Sequence, residues 1–489
     1  MNVLLLTPIL APLAAAALAA LLGWRRLSAC VTVLAALSVL VSGALLGLRL
    51  ESGARFTVGH LLRADALSAT MLIVIGTVGT LATWASLGYI NAELVHRHTD
   101  REGANLYGVL VPIFLAAMAL AVLANNIGVM WVAIEATTVA TAFLVGHRRT
   151  RAALEATWKY VVICSVGIAL AFLGTVLLYF ASLHAGASSG NALDIDVLLS
   201  HAAALDPAVT RLAAGLLLLG YGAKAGLVPF HTWLADAHSQ SPAPVSALMS
   251  GVLLSVAFSA LLRVKSVVDL ALGTGFLRTG LLIVGLLTVL IAASLLVVQT
   301  DFKRMLAYSS MENMGLVAVA AAAGTKLAIA ALLLHVLAHG IGKALVFLAA
   351  GQLQAAHGST AIAAVTGLLA RSRLIGVAFA VGLAVLLGLP PFAMFASELS
   401  ISRALASAHL GWALGVVLLL MVIAFAALAR NGSRMLLGPP NADSPVIAVP
   451  GSIAGALVIG VVLSVVLGLT AGPLSQLLQT AAILLGAAK

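Results

Sequence analysis

Apolar residues run along this chain in long blocks separated by short polar punctuation. A helix needs about 20 apolar residues to cross a bilayer, and by that measure the blocks predict fourteen spans. They fall at 3–22, 28–48, 66–90, 107–124, 128–146, 159–182, 212–227, 243–264, 279–299, 304–323, 327–353, 374–401, 408–430 and 447–470. A shorter apolar piece, 474–487, reads as an interfacial tail. The longest connections, 49–65, 91–106, 183–211 and 431–446, leave no room for a soluble domain. Segment 183–211 carries Asp194, Asp196 and Asp206 and predicts a short helix lying on the outer surface. The first block has no basic residues ahead of it and continues to Leu22, so it reads as a retained span rather than a cleaved leader. The pattern is that of an all-α polytopic membrane protein.

Two of the blocks are interrupted. The segment 212–227 runs into Gly226 and Pro229, and 374–401 contains Gly388, Pro390 and Pro391. Broken helices at membrane depth are tolerated where they line a cavity or pack against protein. The second break comes five spans after the first, and the block holding Glu312 five spans after that holding Glu135. An odd offset reverses orientation, so the chain divides into 1–106, a five-helix repeat at 107–264, a second and inverted one at 279–430, and a C-terminal part at 431–489.

Composition narrows the class. Only 9% of the 489 residues are charged, against about 25% in soluble proteins. The net charge of +10 comes from Lys and Arg scattered through short loops, which excludes a contiguous nucleic-acid patch. With the N-terminus outside, 14 of the 26 basic residues fall on the inner side and 10 on the outer, Lys224 and Lys343 lying within spans. That is the positive-inside bias, and it also puts the C-terminus outside. Cys30 and Cys164 are too far apart for a CxxC motif or a cluster held by this chain alone. Cys164 reads as core packing. The twelve histidines show no HExxH spacing, and no nucleotide fingerprint is present.

What remains is a set of ionisable groups inside apolar blocks. A cation at mid-membrane costs roughly 2.5–3.5 kcal/mol on insertion scales, so Lys224 implies a partner or a wet cavity. Glu135 has Thr138 one turn away on the same stripe. Desolvation raises a carboxyl pKa and a nearby cation lowers it, the balance a carboxyl–lysine pair needs to exchange a proton. His335, His339 and Lys343 stand at i, i+4 and i+8, drifting only about 40° per step along one helix face. Glu312 and Glu398 sit in similar settings, Glu398 just after the second break. Each alone could serve as a polar clamp between helices. Together with two broken helices they point to proton transfer by Glu135, Lys224, Lys343, Glu398, His335 and His339. Glu155 and Lys159 read as loop-edge groups, and Asp236 and His238 as groups near the inner rim, where a solvated role and a functional one are both open.

Four stretches carry a resemblance: KAGLVPFHTWLADAHSQSPAPVSALMS (224–250), DFKRMLAYSSMENMG (301–315), HVLAHGIGKALVFLAAGQL (335–353) and GLPPFAMFASE (388–398). They resemble the antiporter-like, proton-translocating membrane subunits of respiratory complex I and its relatives, over roughly residues 60 to 435. Within that family, 131–179 is most similar to the F subunit of hydrogenase-4-type membrane-bound hydrogenases. The resemblance implies that Glu135 is the fifth-helix glutamate, Lys224 the seventh-helix lysine, Lys343 the eleventh-helix lysine and Glu398 the terminal charge of the twelfth helix, with His335 and His339 on the polar axis. Many relatives carry a histidine where this chain has Ser250, so that bridging step would pass through water or another group. The long lateral helix of one complex I subunit is missing.

The implied setting is a prokaryotic cell membrane, with other membrane subunits and a peripheral redox arm as partners. Iron–sulfur clusters and a Ni–Fe centre would lie in those partners and no cofactor in this chain. A Mrp-type Na⁺/H⁺ antiporter, an NADH:quinone oxidoreductase subunit and a transport-inactive anchor are the competing readings.

Overall fold

Polar residues at the block edges start and stop the helices. Asp65, Asp100, Asn126, Thr150, Asp206, Asp301 and Thr325 each accept from backbone N–H groups in the first turn of the helix that follows, satisfying donors that a helix start leaves open. The computed structural model describes residues 2–50, 55–57, 61–439 and 447–487. Lys489, counted above among the outer charges, lies outside them, as does the side chain of Arg55.

The first half comprises α1 (Asn2–Leu22), α2 (Arg26–Arg49), α3 (Ala66–Val95), α4 (Arg101–Leu123), α5 (Ile127–Val145) and α6 (Arg151–His184), then α7 (Ile195–His201), α8 (Pro207–Lys224), α9 (Trp233–Gln240), α10 (Ala243–Leu248) and α11 (Leu254–Leu272). The second half comprises α12 (Gly275–Val297), α13 (Phe302–Ala323), α14 (Lys326–His357), α15 (Leu368–Arg371), α16 (Arg373–Leu386), α17 (Ala393–Ser407), α18 (Gly411–Leu437), α19 (Gly451–Leu469) and α20 (Gly472–Leu484). A two-stranded antiparallel ribbon, β1 (Arg55–Thr57) with β2 (Leu62–Ala64), occupies the connection before α3.

Among the described residues eleven helices are long and apolar enough to cross a membrane: α1 to α6, the continuous 243–272 unit, α12, α14, α18 and α19. The other three blocks are α8, α13 and the α16–α17 pair, each short or studded with polar residues. The 374–401 block is thus two helices, parted at Leu387–Phe392. Segment 183–211 does carry the short surface helix α7. The 474–487 piece forms α20, which packs on α14 and α3.

The 243–272 unit and α14 are almost wholly buried, whereas α1, α18 and α19 turn broad apolar faces outward. A buried charge cluster ties the centre at one end. Arg263 of α11 donates through Nη2 to Asp65 Oδ1 at 2.7 Å and through Nη1 to the other carboxylate oxygen. It also reaches Ser68 Oγ at 2.9 Å, and Arg63 Nε lies 3.1 Å from Asp65 Oδ2.

Candidate functional site

Polar side chains gather in three places along a continuous line of packed helices. The line runs from α5 to α6, from α6 to α8 and α9, then through α13 and α14 to α17.

The first place is built on Lys224. Gly226 takes φ +77°, which lets the chain leave α8 sharply, so the lysine is the last helical residue. The negative end of the helix dipole favours a cation there. Its ammonium is fully buried and donates to Thr138 Oγ1 at 2.9 Å and Tyr160 Oη at 2.5 Å, 4.7 Å from the tyrosine ring centre. Tyr160 Oη in turn lies 2.5 Å from Thr141 Oγ1. Glu135, one turn before Thr138, is half-buried, and its enclosed Oε2 meets no hydrogen-bonding group among the described residues. Glu135 and Lys224 therefore stand near each other without a direct ion pair.

The second place is α9. Its Asp236 accepts from Lys159 Nζ of α6 at 3.0 Å and from the Arg304 guanidinium of α13, locking the short helix between them. That lock holds the His238 ring beside Trp233 and Phe347, 6.0 Å centre to centre from each. His238 is fully buried, and neither ring nitrogen meets a donor or acceptor among the described residues. A solvated role for His238 is overturned by its burial, whereas Asp236, two residues earlier and on the other side of α9, stays partly exposed. Lys303 is also buried, donating to Ser241 O at 2.9 Å. Ser250 lies in a π-helical turn, Met249–Leu253, with its Oγ 2.6 Å from Ser310 Oγ. Such turns recur at functional positions.

The third place is the α13–α14–α17 junction. Lys343 donates to Leu306 O at 2.7 Å and to the Ser309 hydroxyl. One turn earlier, His339 stacks on His335 with the rings 6.5 Å apart and 7° from parallel, and His339 Nε2 meets no group among the described residues. His335 bridges Ser397 Oγ at 3.0 Å and Asn313 Oδ1 at 2.9 Å. Glu312 and Glu398 line one cavity of about 150 Å³. Gly388, at φ +60°, lets the Glu398 carboxyl fold onto the second helix break, because a Cβ there would lie 2.2 Å from Oε2.

The six residues singled out by sequence thus fall at the first and third places. Tyr160 and Lys303 were missed as members, and His238 was left open between a solvated and a functional role. Tyr160 offered a signal, a tyrosine one position after a charged lysine at the start of an apolar block. The sequence neighbours of Lys303 and His238 are rim residues, and nothing local distinguishes them.

A family model described as NADH:quinone oxidoreductase/Mrp antiporter, TM, matches residues 124–424, which contain all three places. The chain belongs to that family. Among curated relatives of this antiporter-type chain, a "Hydrogenase-4 component F homolog" of Methylacidiphilum infernorum is 37% identical over 79% of this chain and 81% of its own. An "NADH-quinone oxidoreductase subunit N" of Salinispora arenicola is 30% identical over 85% of this chain and 82% of its own. A chain of the membrane-bound sulfane sulfur reductase, an archaeal respiratory complex, superposes with a TM-score of 0.87 at 24% identity, covering 99% of this chain and 97% of that one. The multi-pass antiporter-like fold is thereby established.

Proposed function

We propose that this chain is the proton-translocating membrane subunit of a redox-driven complex, of the hydrogenase-4 type of membrane-bound [NiFe] hydrogenase. Protons move between Glu135, Lys224, Lys343, His339, His335 and Glu398. The observation that carries the reading is the row of buried, titratable groups on consecutively packed helices, Lys224, His238, His339 and Lys343, three of them fully enclosed and all 1% exposed or less. Glu135 Oε2, both His238 nitrogens and His339 Nε2 lack protein partners among the described residues. Polar atoms enclosed in that way are where ordered water belongs, and water would join the three places into a proton wire.

Desolvation favours a neutral lysine and a nearby carboxylate favours a charged one, so a field change near Glu135 alters how tightly Lys224 holds its proton. His238 takes the bridging part that Ser250, lacking a titratable group, leaves open. The two helix breaks, each beside a site residue, support inverted repeats at 107–264 and 279–430. The chain lies in a prokaryotic cell membrane with its N-terminus outside. It works beside other membrane subunits and a peripheral arm that holds the iron–sulfur and Ni–Fe centres.

The test is redox-driven acidification in liposomes carrying the whole complex. Lys224→Ala and Glu135→Gln should each abolish pumping while leaving assembly and the redox reaction intact; normal pumping in both would end the proposal. The similarity to an NADH-quinone oxidoreductase subunit N favours a second reading, the same role in an NADH-oxidising complex. Dependence of the pumping on hydrogen rather than NADH separates the two. Sodium-driven proton exchange by the chain alone would instead assign it to a Mrp-type antiporter.

A further inference from the structure

Away from the polar axis, the end of α18 and the end of α12 enclose a cavity of about 600 Å³. It is lined by the apolar Val297, Val298, Ile362 and Val365 and by the basic Arg430 and Arg434. No acidic side chain lines it among the described residues. Arg430 Nη2 is anchored on Val297 O at 3.0 Å, which fixes one guanidinium against the end of α12. Arg434 follows one helical turn later on the same face of α18, and no hydrogen bond or ion pair of its side chain occurs among the described residues. Between them Asn431, 3% exposed, also lines the cavity, and its Nδ2 donates to nothing among the described residues. The Thr366 hydroxyl, which also lines the cavity, is enclosed and likewise unpaired among the described residues.

Two guanidiniums, an idle amide and an idle hydroxyl around one space make an oxyanion site. Arginine's fork matches phosphate oxygens in particular. The neighbouring α12 and α18 turn an apolar strip outward, with Leu287, Leu290, Leu419 and Ile423 exposed. A ligand that satisfies both halves has a phosphate at one end and hydrocarbon at the other.

We propose that this cavity binds the phosphodiester headgroup of an anionic phospholipid, with its acyl chains laid along the α12–α18 strip. The site is independent of the proton axis and stands or falls separately from the proposed function. The shared chemistry is a phosphate, and free phosphate is the rival source that the test must separate.

The intact complex is placed in phosphatidylcholine bilayers doped with spin-labelled phosphatidylglycerol, and the preference for the anionic over the zwitterionic label is read from the immobilised signal. Arg430→Gln with Arg434→Gln should lower that preference about fivefold for each arginine removed. Arg26→Gln with Arg101→Gln, exposed charges on the same membrane face, should leave it unchanged. Excess inorganic phosphate should not displace the label. An undiminished preference in the first pair, an equal loss in the second, or displacement by phosphate each overturns the assignment. Unmutated protein supplies a check that folding of the variants cannot confound. A headgroup-photoreactive phosphatidylglycerol should crosslink to the peptide holding Arg430 and Arg434, and crosslinks confined to other helices reject the site.

Discussion

An ammonium without a carboxylate in contact needs oxygen lone pairs, and at Lys224 two hydroxyls supply them. Both Tyr160 and Thr138 can also donate, so either can pass a proton as well as hold the charge. A hydrogen bond to a charged group contributes about 1.5–3 kcal/mol. Tyr160→Phe keeps the ring beneath the ammonium and removes one such bond. Pumping by the reconstituted complex should therefore fall by roughly tenfold or more while assembly persists; an unaltered rate would show that Thr138 alone suffices. Asp65 illustrates the opposite use of charge, as a fastener. Burial by itself would raise its carboxyl, but Arg263, Arg63 and the Ser68 N–H together hold it well below its ordinary 3.8. A carboxyl depressed in the folded state stabilises fully above the unfolded value and loses that contribution as pH falls through the folded one. Asp65→Asn should cost about 3–5 kcal/mol near neutrality. The gap in thermal midpoint between variant and parent should narrow only as pH drops below 3.8; a gap independent of acidity would mean that Arg263 is not its cause.

At the scale of helices, small residues decide how closely the site's walls approach. Gly220 of α8 faces α6 so tightly that a Cβ would lie 2.5 Å from the Ala171 backbone nitrogen, whereas Gly215, on the same helix, has nothing within 4 Å. Gly220→Val must push α8 from α6 and carry Lys224 away from Tyr160, lowering both thermal midpoint and pumping. Gly215→Ala removes only backbone freedom and should stabilise by about 0.5–1 kcal/mol; a loss there as large as at Gly220 would refute the packing argument. These close approaches were illegible beforehand, because a glycine in an apolar block looks the same whichever helix it meets. The breaks were legible, since Gly226 with Pro229 and Gly388 with Pro390 and Pro391 write their own discontinuity. So was the His335–His339–Lys343 stripe, which follows from helical spacing alone. The burial of His238 and Lys303 was not, for it depends on Asp236 joining α6, α9 and α13, residues far apart in the chain. The π turn at Ser250 has no local marker either.

Across the whole molecule, Glu135 and Glu398 sit half-buried at the two ends of the packed line. Each lies beside an outward apolar face, Val132, Val139 and Phe143 near one and Phe395, Leu399 and Val422 near the other. Lys224 and Lys343 stand between those ends, on α8 and α14, with α9 and α13 separating them. If protons pass both lysines in one file, either blockade stops all flow and the second adds nothing. Independent routes would instead each carry a share, and the losses would add. Groups that act as one unit are strongly non-additive. The single file expected from one continuous line of packed helices therefore predicts that Lys224→Ala, Lys343→Ala and the double variant give the same residual ratio of protons moved per electron transferred. The ratio is measured in liposomes with a pH-sensitive dye against substrate turnover, with each complex checked for full assembly. Half the flow surviving either single change, and none surviving the pair, would instead establish two parallel channels. The axis through His238 would then be a packing feature rather than a conductor.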